Sequence, residues 1–208
     1  MDSSSGLSYI LLVVLVALSA FFSASETALN SINKIRMKNM ADNGDQRAAK
    51  TLEVAEKYES MISTILIGNN IVNIGSASIA TTLFTIWLGA DKGAAISTVV
   101  MTIVVLIFGE VLPKNYAKAN ADSLAMTVAG PISVLMVIFK PLSAVLNFLS
   151  GIMTKLTGGK EDKPSVTEEE LKYLVESIEE EGVLEETESD LVRSALEFDE
   201  IEAQEIIT

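Results

Sequence analysis

Three groups of oxygen-bearing side chains interrupt otherwise apolar segments. They are Ser19, Ser23 and Glu26 in "LSAFFSASETALN", Asn69, Asn70 and Asn73 in "GNNIVN", and Glu110, preceded by Gly109 and followed by Pro113, in "FGEVLPK". Ser19, Ser23 and Glu26 are spaced i, i+4 and i+7, which puts them on one face of a helix. Asn69 and Asn73 share a face in the same way, with Asn70 turned roughly 100° aside. Pro113 has no N–H for the carbonyl of Gly109, so that carbonyl is expected to be free as a further ligand. Hydroxyl, amide, carbonyl and carboxylate oxygens are the donor set of hard cations such as Mg²⁺, Ca²⁺, Mn²⁺ and Na⁺. The chain has no cysteine and no histidine, which removes thiol chemistry, disulfides, imidazole catalysis and the usual zinc or copper sites. An enzymatic role is not expected.

Each group also has a plainer explanation. Membrane serines commonly bond back to the i−4 carbonyl, and membrane asparagines join helices through interhelical hydrogen bonds. Glu26, near the end of its helix, is most cheaply placed at the interface, and Glu110 has Lys114 and Lys118 as alternative ion-pair partners.

The elements that must position these residues are membrane helices. Of 208 residues, 49% are hydrophobic and 6% aromatic, and mean hydropathy is +0.39, which points to an all-α membrane protein. Leu7–Asn30 is long enough to cross about 30 Å of hydrocarbon and lacks the features of a signal peptide. The polar stretch after it carries Lys34, Arg36, Lys38, Arg47, Lys50 and Lys57, which the positive-inside rule assigns to the cytoplasm, leaving the N-terminus outside. Ser60–Ala90, 31 positions without a charge, crosses outward to a turn at "GADKG". Ala94–Leu112 returns to the basic "PKNYAKAN" segment.

A fourth block, Ser123–Leu156, has lysines voting for the inside at both ends: Lys114 and Lys118 before it, Lys155 and Lys160 after it. It therefore crosses an even number of times. Pro131 and the Lys140-Pro141 pair divide it into arms Ser123–Phe139 and Pro141–Leu156, each shorter than the roughly 20 residues of a full span. A re-entrant or interfacial helix pair is the expected form, two tilted spans being the alternative.

Residues 1–155 hold 11 Lys and Arg against 10 Asp and Glu, whereas residues 156–208 hold 4 against 18, a net of −14. The expected organisation is a membrane domain at 1–156, a linker at 157–166 and a soluble acidic helical hairpin at 167–208. Thr167 with Glu170 fits a capping box, and Gly182 separates two helices. Apolar residues repeat at helical spacing through Leu171, Leu174, Val175 and Ile178, and again through Leu184, Leu191, Val192, Ala195, Leu196 and Phe198. So small a hairpin is expected to pack against a copy or another domain. Its charge repels nucleic acid and anionic lipid.

Depth brings the three polar groups together. Counting about 1.5 Å per residue from the inner ends, Ser23 lies about 9 Å deep, Ser19 about 15 Å, Asn69 to Asn73 about 12–18 Å and Glu110 about 6 Å. An all-oxygen cage of low charge at that level suits a hard cation bound weakly enough to be released.

With these motifs in this order, the sequence resembles the CNNM/CorC family of membrane magnesium transporters over essentially its whole length. The resemblance implies a homodimer in the cell (plasma) membrane. Each protomer would carry three transmembrane helices, a pair of short cytosolic-side helices and a cytoplasmic acidic helical bundle. It also implies a Mg²⁺ site in an inward-open cavity, with Mg²⁺ efflux coupled to Na⁺ entry. By motif, Ser19, Ser23, Asn69, Asn73, Gly109 and Glu110 match the family's metal-site positions, while Asn70 and Glu26 match them less closely. Family members continue into a paired CBS module, of which the final "EIIT" resembles the first residues, so ATP binding is not expected of this chain. A membrane scaffold with an acidic partner-binding bundle, and an exchanger of another cation with Glu110 titrating, are the competing functions.

Overall fold

The computed structural model describes residues 3–156, 168–180 and 186–196, and all of the regular structure in them is helical. The linker at 157–166, the Thr167 capping box, Gly182 and the terminal "EIIT" lie outside the described residues. The chain divides into two compact units, Met1–Met153 and Thr154–Thr208.

The first unit opens with α1 (Ser3–Asn30), a 28-residue helix about 42 Å long that is free of proline throughout. Two short helices follow, α2 (Lys34–Asp42) and α3 (Gln46–Glu56). Asn33 caps α2 by accepting the Arg36 N–H, and Asp45 caps α3 by accepting those of Arg47 and Ala48, which satisfies amide groups the first turn leaves without partners. Next come α4 (Tyr58–Leu88), a turn at Gly89, and α5 (Ala90–Val104). From α5 the helix passes without a break through a π-helical segment, Val105–Val111, into α6 (Leu112–Ala119). α7 (Ala121–Ile138) and α8 (Lys140–Leu156) complete the series.

Four helical stretches are long and apolar enough to cross a membrane: Gly6–Asn30, Tyr58–Leu88, Ala90–Ala119 and Ala121–Ile138. The first three match the expected spans, but the third is longer than the Ala94–Leu112 read from hydropathy. The fourth qualifies by length and composition alone, at 18 residues. Both of its ends meet charged side chains. At its start, Asp122 accepts the Asn33 N–H at 3.0 Å and pairs with Arg36 at 2.9 Å. At its end, Val137 and the following Lys140 border a groove with Lys50, Lys57 and Ser60. The charged side chains of α2, α3 and the start of α4 thus form a layer that α7 meets at both ends. Pro131 lies inside α7 and does not divide it; the break falls at Phe139, between the two expected arms.

The core of this unit sits toward the charged layer. Phe22, Ala28 and Leu29 of α1 pack with Val54, Met61, Ile65, Val72, Ala117, Ala125, Val128, Ala129 and Ile132. Four of these twelve residues are alanines, small side chains that let helices surrounded by lipid approach closely. Leu7, Ile10, Val13 and Val14, farther along α1, stay exposed, as lipid-facing residues do.

A close backbone approach between helices lies beside the Gly89 turn. A Cβ on Gly93 would stand 2.5 Å from Thr85 Cα and 2.6 Å from Thr85 N. Because that neighbour is backbone, no side-chain rotation relieves the clash. Gly93→Ala is expected to destabilise by about 3 kcal/mol, the upper end of overpacking. Thermal unfolding in detergent should then shift downward by about 6–12 °C; an unchanged melting temperature would contradict the close approach.

In the second unit, α9 (Glu168–Glu180) and α10 (Glu186–Leu196) pack together. Val175 is buried, and Arg193 reaches Glu176 at 3.6 Å and Glu179 at 3.9 Å. Leu171, Leu174 and Leu191 of the expected apolar repeats are exposed.

Candidate functional site

α1, α4 and the π-helical segment present the polar residues to one another. Ser19 and Ser23 stand one turn apart, each only 1% exposed. The Ser19 hydroxyl donates to Asn69 Oδ1 at 3.2 Å, and Asn73 Nδ2 donates to the same oxygen at 3.2 Å. Asn69 Oδ1 therefore spends both lone pairs holding its neighbours, and Asn69 is the hub of the cluster. A hydroxyl that donates its proton keeps its acceptor lone pairs, and an amide that donates through nitrogen keeps its oxygen free. Asn73 Oδ1 and Ser23 Oγ are both buried without a hydrogen-bond partner among the described residues. An orphaned buried acceptor ordinarily costs about 1–3 kcal/mol, and both atoms retain lone pairs that a donor or a cation could use.

Gly109 is the third wall. It is buried, and a Cβ there would lie 2.8 Å from Ser19 Oγ and 3.3 Å from Val105 Cγ1. Only glycine lets the two helices meet with the Ser19 hydroxyl between them. The helix passes Pro113 by changing register: Leu112 N–H bonds to Ile107 O, five residues back. Such π turns concentrate at functional sites because the extra residue redirects side chains within a continuous helix. The role of Gly109 seen in the structure is space for Ser19.

Glu110 follows Gly109 and lines a cleft of about 400 Å³ between α4 and α5, together with Asn73, Thr81, Ser97, Thr98 and Thr102. The cleft runs from the level of Glu110 toward the Gly89 end. The Thr98 and Thr102 hydroxyls donate to the i−4 carbonyls of Ala94 and Thr98, at 3.0 and 2.8 Å, which leaves oxygen lone pairs as their remaining polar feature. Among the described residues no lysine or arginine pairs with Glu110. The candidate Lys114 instead reaches Glu26 at 3.3 Å.

The structure thus joins Ser19, Asn69, Asn73 and Gly109 by direct contact, adds Ser23 one turn away, and connects Glu110 through the cleft it shares with Asn73. It sets Glu26 apart in the pair with Lys114. It also sets apart Asn70, which is exposed and donates to Leu66 O at 2.9 Å. The cleft hydroxyls of Thr81, Ser97, Thr98 and Thr102 were not singled out from sequence. Their signal was a run of hydroxyls in an otherwise apolar span, which ordinary back-bonding also explains. Four other buried hydroxyls, Ser25 Oγ, Thr64 Oγ1, Ser143 Oγ and Ser189 Oγ, also have no hydrogen-bond partner among the described residues.

This arrangement supplies neutral oxygens and a single carboxylate. Among the described residues no three acidic side chains gather into a metal-binding group. Neutral oxygens with a single carboxylate are the donor types that suit a hard cation bound weakly.

Comparison with known proteins places the chain among membrane proteins of one kind. The family described as the cyclin M transmembrane N-terminal domain matches residues 10–188. A UPF0053 protein of Haemophilus influenzae is 36% identical over 169 residues, covering 80% of this chain and 40% of the relative. The UPF0053 inner membrane protein YfjD of Escherichia coli is 33% identical over 193 residues, covering 91% of this chain and 44% of the relative. A chloroplastic DUF21 domain-containing protein of Arabidopsis thaliana is 32% identical over 200 residues, covering 96% and 30%. The chain spans less than half the length of each of these relatives.

Proposed function

This chain belongs to the cyclin M transmembrane-domain family and is a multi-pass membrane protein, and from that premise we propose that it transports Mg²⁺, with Na⁺ entry driving Mg²⁺ efflux. The observation that carries the reading is the pair of buried acceptors without a hydrogen-bond partner among the described residues, Ser23 Oγ and Asn73 Oδ1, with Asn73 also lining the cleft that holds the Glu110 carboxylate. In this reading the protein works as a homodimer in the plasma membrane, with its N-terminus outside and the acidic helices in the cytoplasm.

Glu110 supplies the charge that draws the cation in, and Asn73 Oδ1, Ser23 Oγ and the Ser19 lone pairs supply the neutral ligands. Asn69 holds Ser19 and Asn73 in place and joins the ligand set when its own hydrogen bonds open. Mg²⁺ demands octahedral oxygen coordination and gives up water reluctantly. Six waters at about 30 Å³ each occupy about 180 Å³, so a cleft of about 400 Å³ admits the ion with much of its shell and lets it exchange waters for protein oxygens stepwise. The hydroxyls of Thr81, Ser97, Thr98 and Thr102 then provide the next oxygens on the way to the Gly89 end.

Liposomes loaded with Mg²⁺ and reconstituted with the chain test the reading. Under an opposing Na⁺ gradient, Mg²⁺ flux should saturate with Mg²⁺ and rise with the gradient. Flux no greater than in empty vesicles would replace transport by the scaffold reading, and flux indifferent to Na⁺ would remove the coupling.

A further inference from the structure

A groove of about 450 Å³ lies where the end of α7 meets α3 and the start of α4, and nothing in the transport reading uses it. Lys50, Lys57 and Lys140 stand around it, and its wall includes Val134 and Val137, which are 59% and 73% exposed. Glu53 is the one acid in the lining. Its two carboxylate oxygens hold Lys50 and Lys57 at 2.8 Å each, and these ammonium groups draw its pKa down to about 2. Glu53 is therefore ionised at neutral pH, and the groove carries three positive charges against one negative. Lys140 has no carboxylate partner among the described residues.

Position decides what such a groove would hold. It lies in the charged layer that flanks the membrane spans, and Leu142 and Val145 at the start of α8, which follows Lys140, are exposed as its valines are. Lysines beside an apolar wall at this depth match a molecule that is anionic at one end and hydrocarbon at the other. A soluble anion would leave Val134 and Val137 uncovered, and a neutral lipid would leave the excess positive charge unanswered. We propose that this groove binds an anionic phospholipid, its phosphate held by Lys50, Lys57 and Lys140 and its acyl chains lying on Val134 and Val137. Basic pockets between helices at the membrane surface recognise headgroups in this way. Glu53 tunes the site, because it occupies two of the three lysines and must share them with the phosphate. The inference is independent of which ion the protein carries.

Native mass spectrometry of the full chain, equilibrated with equal amounts of dioleoyl phosphatidylglycerol and dioleoyl phosphatidylcholine, tests it. The wild type should retain phosphatidylglycerol preferentially, and millimolar inorganic phosphate should not displace it. The triple variant Lys50→Gln, Lys57→Gln, Lys140→Gln should bind phosphatidylglycerol at least tenfold more weakly, at about fivefold per lysine near a membrane surface. Phosphatidylcholine retention should not change. Glu53→Gln should strengthen phosphatidylglycerol binding, whereas lysines and a glutamate that merely brace α3 would give a loss in both variants. Should the triple variant fail to fold, Lys140→Gln alone, which breaks no ion pair, should still lose severalfold. Equal retention of the two lipids, displacement by free phosphate, or unchanged binding in the lysine variants would each overturn the proposal.

Discussion

Glu110→Gln is expected to reduce Mg²⁺ affinity, read as saturable flux in liposomes, by at least two orders of magnitude while leaving the fold intact. Two unit charges 4 Å apart attract by about 4 kcal/mol at an effective dielectric constant of about 20, and a divalent ion doubles that. Water in the cleft screens much of this, and a remainder of about 2.7 kcal/mol is a hundredfold. Stability should hardly change, within about 0.5 kcal/mol, because Glu110 pairs with no cation among the described residues and Lys114 already reaches Glu26 at 3.3 Å. The two readouts separate the competing functions. A scaffold whose carboxylate cements helices would lose melting temperature and show no Mg²⁺ saturation in either form. A variant that melts and transports like the wild type would remove Glu110 from the site.

Gly109→Ala is expected to impair transport through Ser19. The added Cβ would lie 2.8 Å from Ser19 Oγ and 3.4 Å from Ser19 Cβ. The hydroxyl then either rotates away from Asn69, which it now meets at 3.2 Å, or forces the π-helical segment outward. Both outcomes loosen the hub that fixes Asn73, and overpacking of this kind costs about 1–3 kcal/mol. Flux should fall about tenfold or more, and the melting temperature by about 2–4 °C per kcal/mol. A double variant adds the decisive control. Ser19→Ala removes the oxygen at 2.8 Å and leaves Val105 Cγ1 at 3.3 Å and Ser19 Cβ at 3.4 Å, so Gly109→Ala with Ser19→Ala should regain most of the stability without regaining flux. Recovery of both would mean that the Ser19 oxygen serves no role beyond packing.

The two glycine contacts also mark where reading the sequence stopped. Spacing and depth suffice to group Ser19 with Asn69 and Asn73, because helical periodicity and a rise of about 1.5 Å per residue are properties of the chain alone. The end of α1 at Asn30 and the break beside Lys140-Pro141 are legible for the same reason: apolar runs end where polar residues or proline begin. Contacts between distant segments are not legible in this way. That Gly109 makes room for Ser19 depends on how close two helices stand, and the pairing of Lys114 with Glu26 depends on which face of α6 meets α1. From sequence, Lys114 was equally a partner for Glu110. Hydropathy ended the third span at Leu112 because "PKNYAKA" is polar, yet the helix runs on to Ala119. Its hydrogen bonds change register ahead of Pro113, an option that composition does not reveal. The cleft hydroxyls escaped notice because a threonine that bonds to its own helix looks the same in sequence whether or not it also faces a cavity.

The proposed transport requires a hard cation to bind between α1, α4 and the π-helical segment. Crystals of the full chain grown with Mn²⁺ as an anomalous substitute for Mg²⁺ test it most directly. An anomalous peak is expected within coordinating distance of Asn73 Oδ1 and Ser23 Oγ and beside Glu110, abolished by excess Mg²⁺ and by Glu110→Gln. No peak there at concentrations that saturate flux, or peaks confined to the acidic residues of α9 and α10, would contradict it.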